Sequence, residues 1–115
     1  VGFRSKFEAR IAQELRLQNV DYEYETVELS YVDTYKPDFI LPNGIIIEAK
    51  GYLRPENRPM MIKVKKQNPR LDIRFIFQEP HKKIAGTKRM TFAKWADKNG
   101  FPWAHGSIPK SWIDE

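Results

Sequence analysis

The sequence contains no cysteine. That excludes disulfides and thiolate-bound zinc, and leaves the redox compartment open. Its two histidines, His81 and His105, are isolated from one another, and neither is assigned a ligand role. No apolar run approaches the length that spans a bilayer, and no secretory signal opens the chain, so no membrane partner is expected. There is no repeat, linker or low-complexity tract. At 115 residues the chain reads as one domain, 1–115, long enough to bury a core. It begins at Val1 rather than Met, which leaves its natural N-terminus open. Acidic charge is in the minority, with 15 Asp and Glu against 20 Lys and Arg and a net charge of +5. A basic balance suits a nucleic-acid partner without establishing one.

What the chain does have is concentrated between Lys36 and Lys50, Lys-Pro-Asp-Phe-Ile-Leu-Pro-Asn-Gly-Ile-Ile-Ile-Glu-Ala-Lys. Pro37-Asp38 opens a short apolar run, Phe39 to Leu41. Asn43-Gly44 between apolar runs is a hairpin signal. Ile45, Ile46 and Ile47 form a β-branched second strand. That strand ends in an acid and a base two residues apart. Side chains at i and i+2 share a face, so Glu48 and Lys50 point the same way and Ala49 points away. The hairpin, 37–50, returns Asp38 beside them. Paired carboxylates are hard ligands of the kind Mg²⁺ takes, and such an ion lowers the pKa of water and steadies a leaving oxygen. Lys50 is placed to hold a water or to balance charge on a phosphorane-like transition state. A surface ion pair between Glu48 and Lys50 explains the strand end alone; it does not explain why Asp38 lies in the same place.

The remaining elements follow in order. Ser5 to Glu8 reads as a capping box, and Phe7, Ile11 and Leu15 make a core-facing stripe on a helix that runs to about Gln18-Asn19. From position alone, capping is sufficient to explain Glu8. Val20 to Val32 reads as one long, bent strand whose apolar parity switches midway. Asp33 to Lys36 links it to the hairpin. A loop from Gly51 precedes a helix over Pro59 to Gln67, stopped by Asn68-Pro69. Lys63, Lys65 and Lys66 crowd its far half, either as a solvated face favoured by the helix dipole or as phosphate contacts. Leu71 to Phe77 is a strand, and strand–helix–strand order predicts a parallel crossover. The loop from Glu79 to Arg89 carries Lys82, Lys83, Lys88 and Arg89, basic enough to touch a phosphate backbone, though such loops are more often merely solvated. Arg4 and Lys36 are counted with these cations as DNA contacts. Thr91 caps a third helix and Gly100 ends it. Trp103 and Trp112 are assigned to core or dimer packing.

The Pro-Asp, ten-residue step and Glu-x-Lys pattern resembles the PD-(D/E)xK nuclease superfamily. Within it, the order of features resembles the phage-type endonuclease I enzymes, which are Holliday-junction resolvases. The resemblance rests on Phe3-Arg4-Ser5-x-x-Glu8, Pro37-Asp38-Phe39-x-Leu41-Pro42-Asn43-Gly44-Ile45, Glu48-x-Lys50-Gly51, Pro69-x-Leu71-Asp72-Ile73-Arg74 and Ile108-Pro109-x-x-Trp112-Ile113. It therefore spans nearly the whole chain. It implies an α/β, restriction-endonuclease-like fold, a central mixed sheet flanked by helices. It implies an intertwined homodimer in which residues 1–32 swap, although the segment Tyr31 to Lys36 is a few residues shorter than the family's bridge. It implies a catalytic set of Glu8, Asp38, Glu48 and Lys50. Asp38, Glu48, the Ala49 carbonyl and Glu8 would hold Mg²⁺ or Mn²⁺, two ions per site. The implied partner is a four-way junction or other branched DNA, cut to leave 5′-phosphate and 3′-hydroxyl ends. The implied location is the host cytoplasm. Two rivals remain: a mismatch or restriction-type endonuclease with the same chemistry, and a DNA-binding module that does not cut. An intact acid and lysine set argues against the second, since binding alone needs no acids facing phosphate.

Overall fold

A computed structural model describes residues 2–25, 27, 29–30 and 34–115, with residue 30 given by its backbone alone. Helix α1 (Lys6–Leu17) starts where Ser5, in extended backbone, accepts the Glu8 N–H at 3.1 Å. Such a cap contributes about 1 kcal/mol. The other half of the expected capping box is displaced by one residue, because Glu8 Oε1 accepts from Arg4 N–H rather than from that of Ser5. Phe7, Ile11, Ala12 and Leu15 form the buried stripe. Each large apolar side chain among them contributes roughly 1.5–3 kcal/mol by leaving water.

The main sheet has five strands in the order β1 (Glu23–Tyr24), β4 (Phe39–Ile40), β5 (Ile46–Lys50), β6 (Ile73–Phe77) and β7 (Trp103–His105). A separate antiparallel pair joins β2 (Leu29–Ser30) to β3 (Thr34–Tyr35). The β4–β5 pair is the expected hairpin. In its turn Gly44 takes a φ of 90°, a left-handed value that a Cβ would strain, and Asn43 Oδ1 accepts the Ile45 N–H. Helix α2 (Asn57–Gln67) carries the chain from β5 to a parallel β6, the predicted crossover. Helix α3 (Phe92–Lys98) opens on Thr91 and closes on Gly100, whose φ is 75°. There Phe101 N–H reaches back to Ala96 O and Gly100 N–H to Asp97 O, a pairing that satisfies the last carbonyls of the helix. A short α4 (Lys110–Ile113) ends the fold.

Two expectations need correction. The run from Val20 to Val32 is not one strand. Glu25 adopts a φ of 52°, which takes the backbone out of extended geometry. The chain leaves the main sheet there, so β1 and β2 belong to different sheets. The parity switch does mark a passage between environments, since Tyr22 and Tyr24 pack with the α1 side and Leu29 with the other core cluster; residues 26, 28 and 31–32 of this stretch lie outside the described residues. Nor is Asp33 to Lys36 merely a link, because Thr34 and Tyr35 form β3, with Tyr35 opposite Leu29. Asp33 itself lies outside the described residues.

Alternation along β5 and β6 divides the core. Ile46, Ile73, Phe75 and Phe77 pack with Met61, Val64, Phe92 and Trp95 under α2 and α3. Ile47, Ala49 and Ile76 pack with the α1 stripe on the opposite face. The consequence for the site is direct. Glu48 and Lys50 have the parity of Ile46 and face the α2 side, whereas α1 delivers Glu8 from the other side.

Candidate active site

The antiparallel register Phe39↔Ile47 continues to bring Asp38 opposite Glu48. The two residues are laced together. Asp38 N–H donates to Glu48 Oε2 at 3.0 Å, and Ala49 N–H donates to Asp38 Oδ2 at 3.0 Å. Tyr35 O–H also donates to Glu48 Oε2, from β3. Lys50 Nζ stands 3.5 Å from Glu48 Oε1. Glu8 arrives from the first turn of α1 and accepts from Tyr24 O–H. Asp38, Glu48 and Glu8 are only 0%, 2% and 5% exposed, which is unusual for carboxylates unless they are paired. Among the described residues, no buried side-chain polar atom lacks a partner.

Glu25 and Arg4 complete the site, and the sequence offered little sign of the first. Arg4 Nε lies 2.7 Å from Glu25 Oε2, and Arg4 Nη2 lies 2.8 Å from Asp38 Oδ1 and 3.8 Å from Glu8 Oε2. Glu8, Glu25 and Asp38 each place one oxygen within 4.8 Å of the others. Glu48 lies beside this group but directs its oxygens to Lys50, Tyr35 and the Asp38 amide.

The electrostatics follow from burial and crowding. Burial, and then the charge of Glu48, push the Asp38 carboxyl well above the usual carboxylate range, against the opposing pull of Lys50 and the Ala49 amide. Burial disfavours the Lys50 ammonium, but Glu48 and Asp38 outweigh it and raise its pKa. Burial, reinforced by Glu48, raises Tyr35 and keeps its proton on the hydroxyl that donates to that acid. Glu8, Glu25, Asp38 and Glu48 thus outnumber the cations Arg4 and Lys50 that they face. Hard oxygen donors in excess of local cations fit a divalent metal ion.

Two clefts meet at this point. One, of about 630 Å³, is bordered by Glu8, Ala49, Lys50, Tyr52 and Arg54. The other, of about 430 Å³, is bordered by Tyr35, Lys36, Glu48 and Lys50. Arg4 lines both. Lys36 and Arg4, expected as DNA contacts, therefore flank the acids, as do Lys6 and Arg54. The loop after β6 begins at the same end of the sheet, since Gln78 N–H donates to Lys50 O. Its Lys82 sits over the Tyr52 ring, while Lys83, Lys88 and Arg89 are exposed further along. Helix α2, by contrast, starts at the Lys50 end and must run back to begin β6 beside Ile46. Its last turn is at the opposite end of the sheet. There Lys65 donates to Gly100 O at 3.1 Å and covers the Phe101 ring, with exposed Lys66 next to it and exposed Lys63 half a turn earlier.

A mixed sheet that sets buried acids and an ammonium at the foot of an open, cation-flanked cleft is equipped to hydrolyse a phosphate ester, and a chain so built falls in the class of nucleases. The family model described as Phage endonuclease I matches residues 1–115, and the chain belongs to that family. It is 34% identical to Endonuclease I of Escherichia phage T7 over 119 residues, covering 99% of this chain and 80% of that protein. It is 32% identical to Endodeoxyribonuclease 1 of Enterobacteria phage T3, covering 99% of this chain and 78% of the other. Among the described residues, no helix is long and apolar enough to cross a membrane.

Proposed function

We propose that this chain is a structure-selective DNA endonuclease that resolves four-way junctions and other branched DNA, acting in the cytoplasm of a phage-infected cell. The observation that carries the reading is the convergence of Asp38, Glu48 and Lys50 on one strand end, with Glu8 delivered to them by α1. Glu8, Asp38 and Glu48 are the side chains to hold Mg²⁺ or Mn²⁺, up to two ions, with the Ala49 carbonyl as a further ligand. Such ions polarise the phosphoryl oxygens and lower the pKa of water.

The chain's own residues do the rest. Lys50, fixed by Glu48 and kept charged by its acidic neighbours, steadies the negative charge that builds on the phosphate. Tyr35 and the Asp38 amide orient Glu48, and the Ala49 amide orients Asp38, so neither acid must reorganise. Arg4 and Lys36 border the clefts where a backbone would pass, and phosphate contacts of this kind fix register and orientation rather than read bases. Lys82, Lys83, Lys88 and Arg89 extend that basic border along the loop after β6, and Lys63, Lys65 and Lys66 form a separate basic area.

A two-fold homodimer with two such sites matches a junction that has two strands to cut. The swapped, restriction-endonuclease-like arrangement belongs to the same reading. The α1 stripe packs on its own sheet here, and a partner's α1 could make the same contacts. The test is a gel assay of a four-way junction and its matching linear duplex, each with Mg²⁺ and with EDTA. Paired, metal-dependent nicks at the branch, with the duplex spared, are expected. Equal cutting of both would leave a nuclease without junction preference, of the mismatch or restriction type. Tight binding without cutting would leave a binding module.

A further inference from the structure

The Arg4 guanidinium occupies the space where the carboxylates converge. The three acids it touches, Glu8, Glu25 and Asp38, are the same three whose oxygens lie within 4.8 Å of one another. Asp38 has little else to offer a cation. Its Oδ2 is taken by the Ala49 amide, so Oδ1 is the oxygen that faces outward, and Arg4 Nη2 sits 2.8 Å from it. A Mg²⁺ ion bonds a carboxylate oxygen at about 2.0–2.1 Å. Placed on Oδ1, it would bring two like charges together in the low-dielectric part of the site, where repulsion is strong.

The placement of Arg4 also lets it leave. It precedes the N-cap Ser5 rather than lying within α1, and its side chain is 61% exposed. Arg4 belongs to neither buried core cluster, so its withdrawal leaves both packed. Glu25, half-buried in its left-handed backbone, holds the Nε edge of the guanidinium rather than the Nη2 edge turned to Asp38.

We propose that Arg4 is an internal competitor of the metal. In the resting chain its guanidinium clamps Glu8, Glu25 and Asp38 together, and it withdraws from Asp38 Oδ1 when a divalent cation enters. The proposal rests on the metal-dependent reading of the site given above. Once withdrawn, the planar fork is free to take a phosphate in the clefts it already borders. Arg4 is then a positioning residue that couples metal loading to backbone contact, and Glu25 is the anchor that keeps it at hand.

The test is calorimetric titration of the DNA-free chain with Mn²⁺ alone, comparing wild type, Arg4→Gln and Arg4→Lys, with circular dichroism to establish that each is folded. Arg4→Gln is expected to bind Mn²⁺ about tenfold more tightly, the factor that follows if the open arrangement is about a tenth of the wild-type population. Arg4→Lys, which restores the charge, is expected to return affinity towards wild type. With Ca²⁺ as a divalent ion that supports binding without cutting, the same Arg4→Gln chain is expected to bind junction DNA more weakly than wild type, whereas in EDTA the two chains should bind alike, a divergence that a merely structural arginine would not produce. Should Arg4→Gln fail to fold, the wild-type chain still answers. The Nε–H nitrogen resonance of Arg4 is expected to shift along the diamagnetic Mg²⁺ titration. Equal or weaker Mn²⁺ affinity in Arg4→Gln, or an Arg4 resonance that ignores saturating Mg²⁺, overturns the competition while leaving the metal site intact. No metal binding by either chain overturns the metal reading and the competition together.

Discussion

Two arginines grip carboxylates at opposite ends of the same sheet, and they do so in inverse ways. At the active end the acids are buried and the base is exposed: Asp38 and Glu8 have side chains 0% and 7% accessible, against 61% for Arg4. At the other end the base is buried and the acids are exposed: Arg74 is 11% accessible, against 45% for Asp72 and 49% for Glu115. Arg74 lies over the Trp112 ring and donates to Asp72 and Glu115, so it ties β6 to the segment around α4. Asn43 adds to that clasp from the hairpin turn, donating to Trp112 O at 2.7 Å. The difference separates structure from chemistry. A buried base with exposed acids is held by packing and gains little by letting go. Buried acids under an exposed base carry a charge that a proton or a cation relieves, and the cation nearest to hand is the exposed Arg4.

The sharpest way to break this contrast is to neutralise each region in turn. Asp38→Asn is expected to lower single-turnover cleavage of a four-way junction by about a thousandfold, an effect of the size seen when an electrostatic element of an active site is removed. Its Mn²⁺ binding should fall as well, while circular dichroism shows the fold retained. Cleavage at the wild-type rate would remove Asp38 from the chemistry. Lys50→Met is expected to cost less, about a hundredfold, and to leave metal binding in place, because the acids proposed to hold the ion all remain and Lys50 itself offers it no oxygen. Loss of metal binding in Lys50→Met would mean that the lysine organises the acids instead of acting on the phosphate.

The active end was more legible in the sequence than the rest, for a physical reason. A Pro-Asp start, an Asn-Gly turn and a Glu-x-Lys end are local signals, and hairpin pairing converts them into geometry within fifteen residues. The two-faced core could be read the same way from β-strand alternation. Glu25 could not, because its place depends on a left-handed backbone at a residue other than glycine or asparagine, for which the sequence carries no strong signal. The tyrosines that orient the acids come from β1 and β3, strands of two residues too short to show a period. The cations divide differently. Arg54 and Lys82 follow strands whose C-terminal ends form the site, whereas Lys65 and Lys66 end a crossover helix that must run the other way. That polarity was already contained in the strand–helix–strand order.

Breaking the clasp should change stability and leave cleavage alone. Arg74→Met keeps a long apolar stem over Trp112 but removes the charge-assisted bonds to Asp72 and Glu115. A loss of about 1–2 kcal/mol in a urea melt is expected, within the usual range for a single residue with several partners. Junction cleavage at a temperature well below the melt should be unchanged. A cleavage defect comparable to that of Lys50→Met would mean that the two ends are coupled, and the contrast between them would fail.

The smallest expected effect is also the one in which the two ends move in opposite directions. Hydrogen bonding from Arg74 depresses Asp72 below its ordinary value of 3.8. A carboxylate whose folded pKa lies below its unfolded one stabilises the fold fully above the unfolded value and loses that contribution as pH falls through the folded one. Asp38 is raised, by burial and then by Glu48. Above its ordinary range the unfolded chain ionises first, so the metal-free fold is stabilised by acidification from the raised value downward and weakened as pH rises through it. A metal-free stability profile should therefore rise as pH is lowered through the raised Asp38 value and turn down once Asp72 takes a proton. Asp38→Asn should flatten the first slope and Arg74→Met the second. Added salt should blunt the second more than the first, because Asp72 is exposed to counterions and Asp38 is not. If both slopes answered equally to salt, the buried-acid and buried-base ends would be electrostatically alike, and the inversion between them would be one of shape alone.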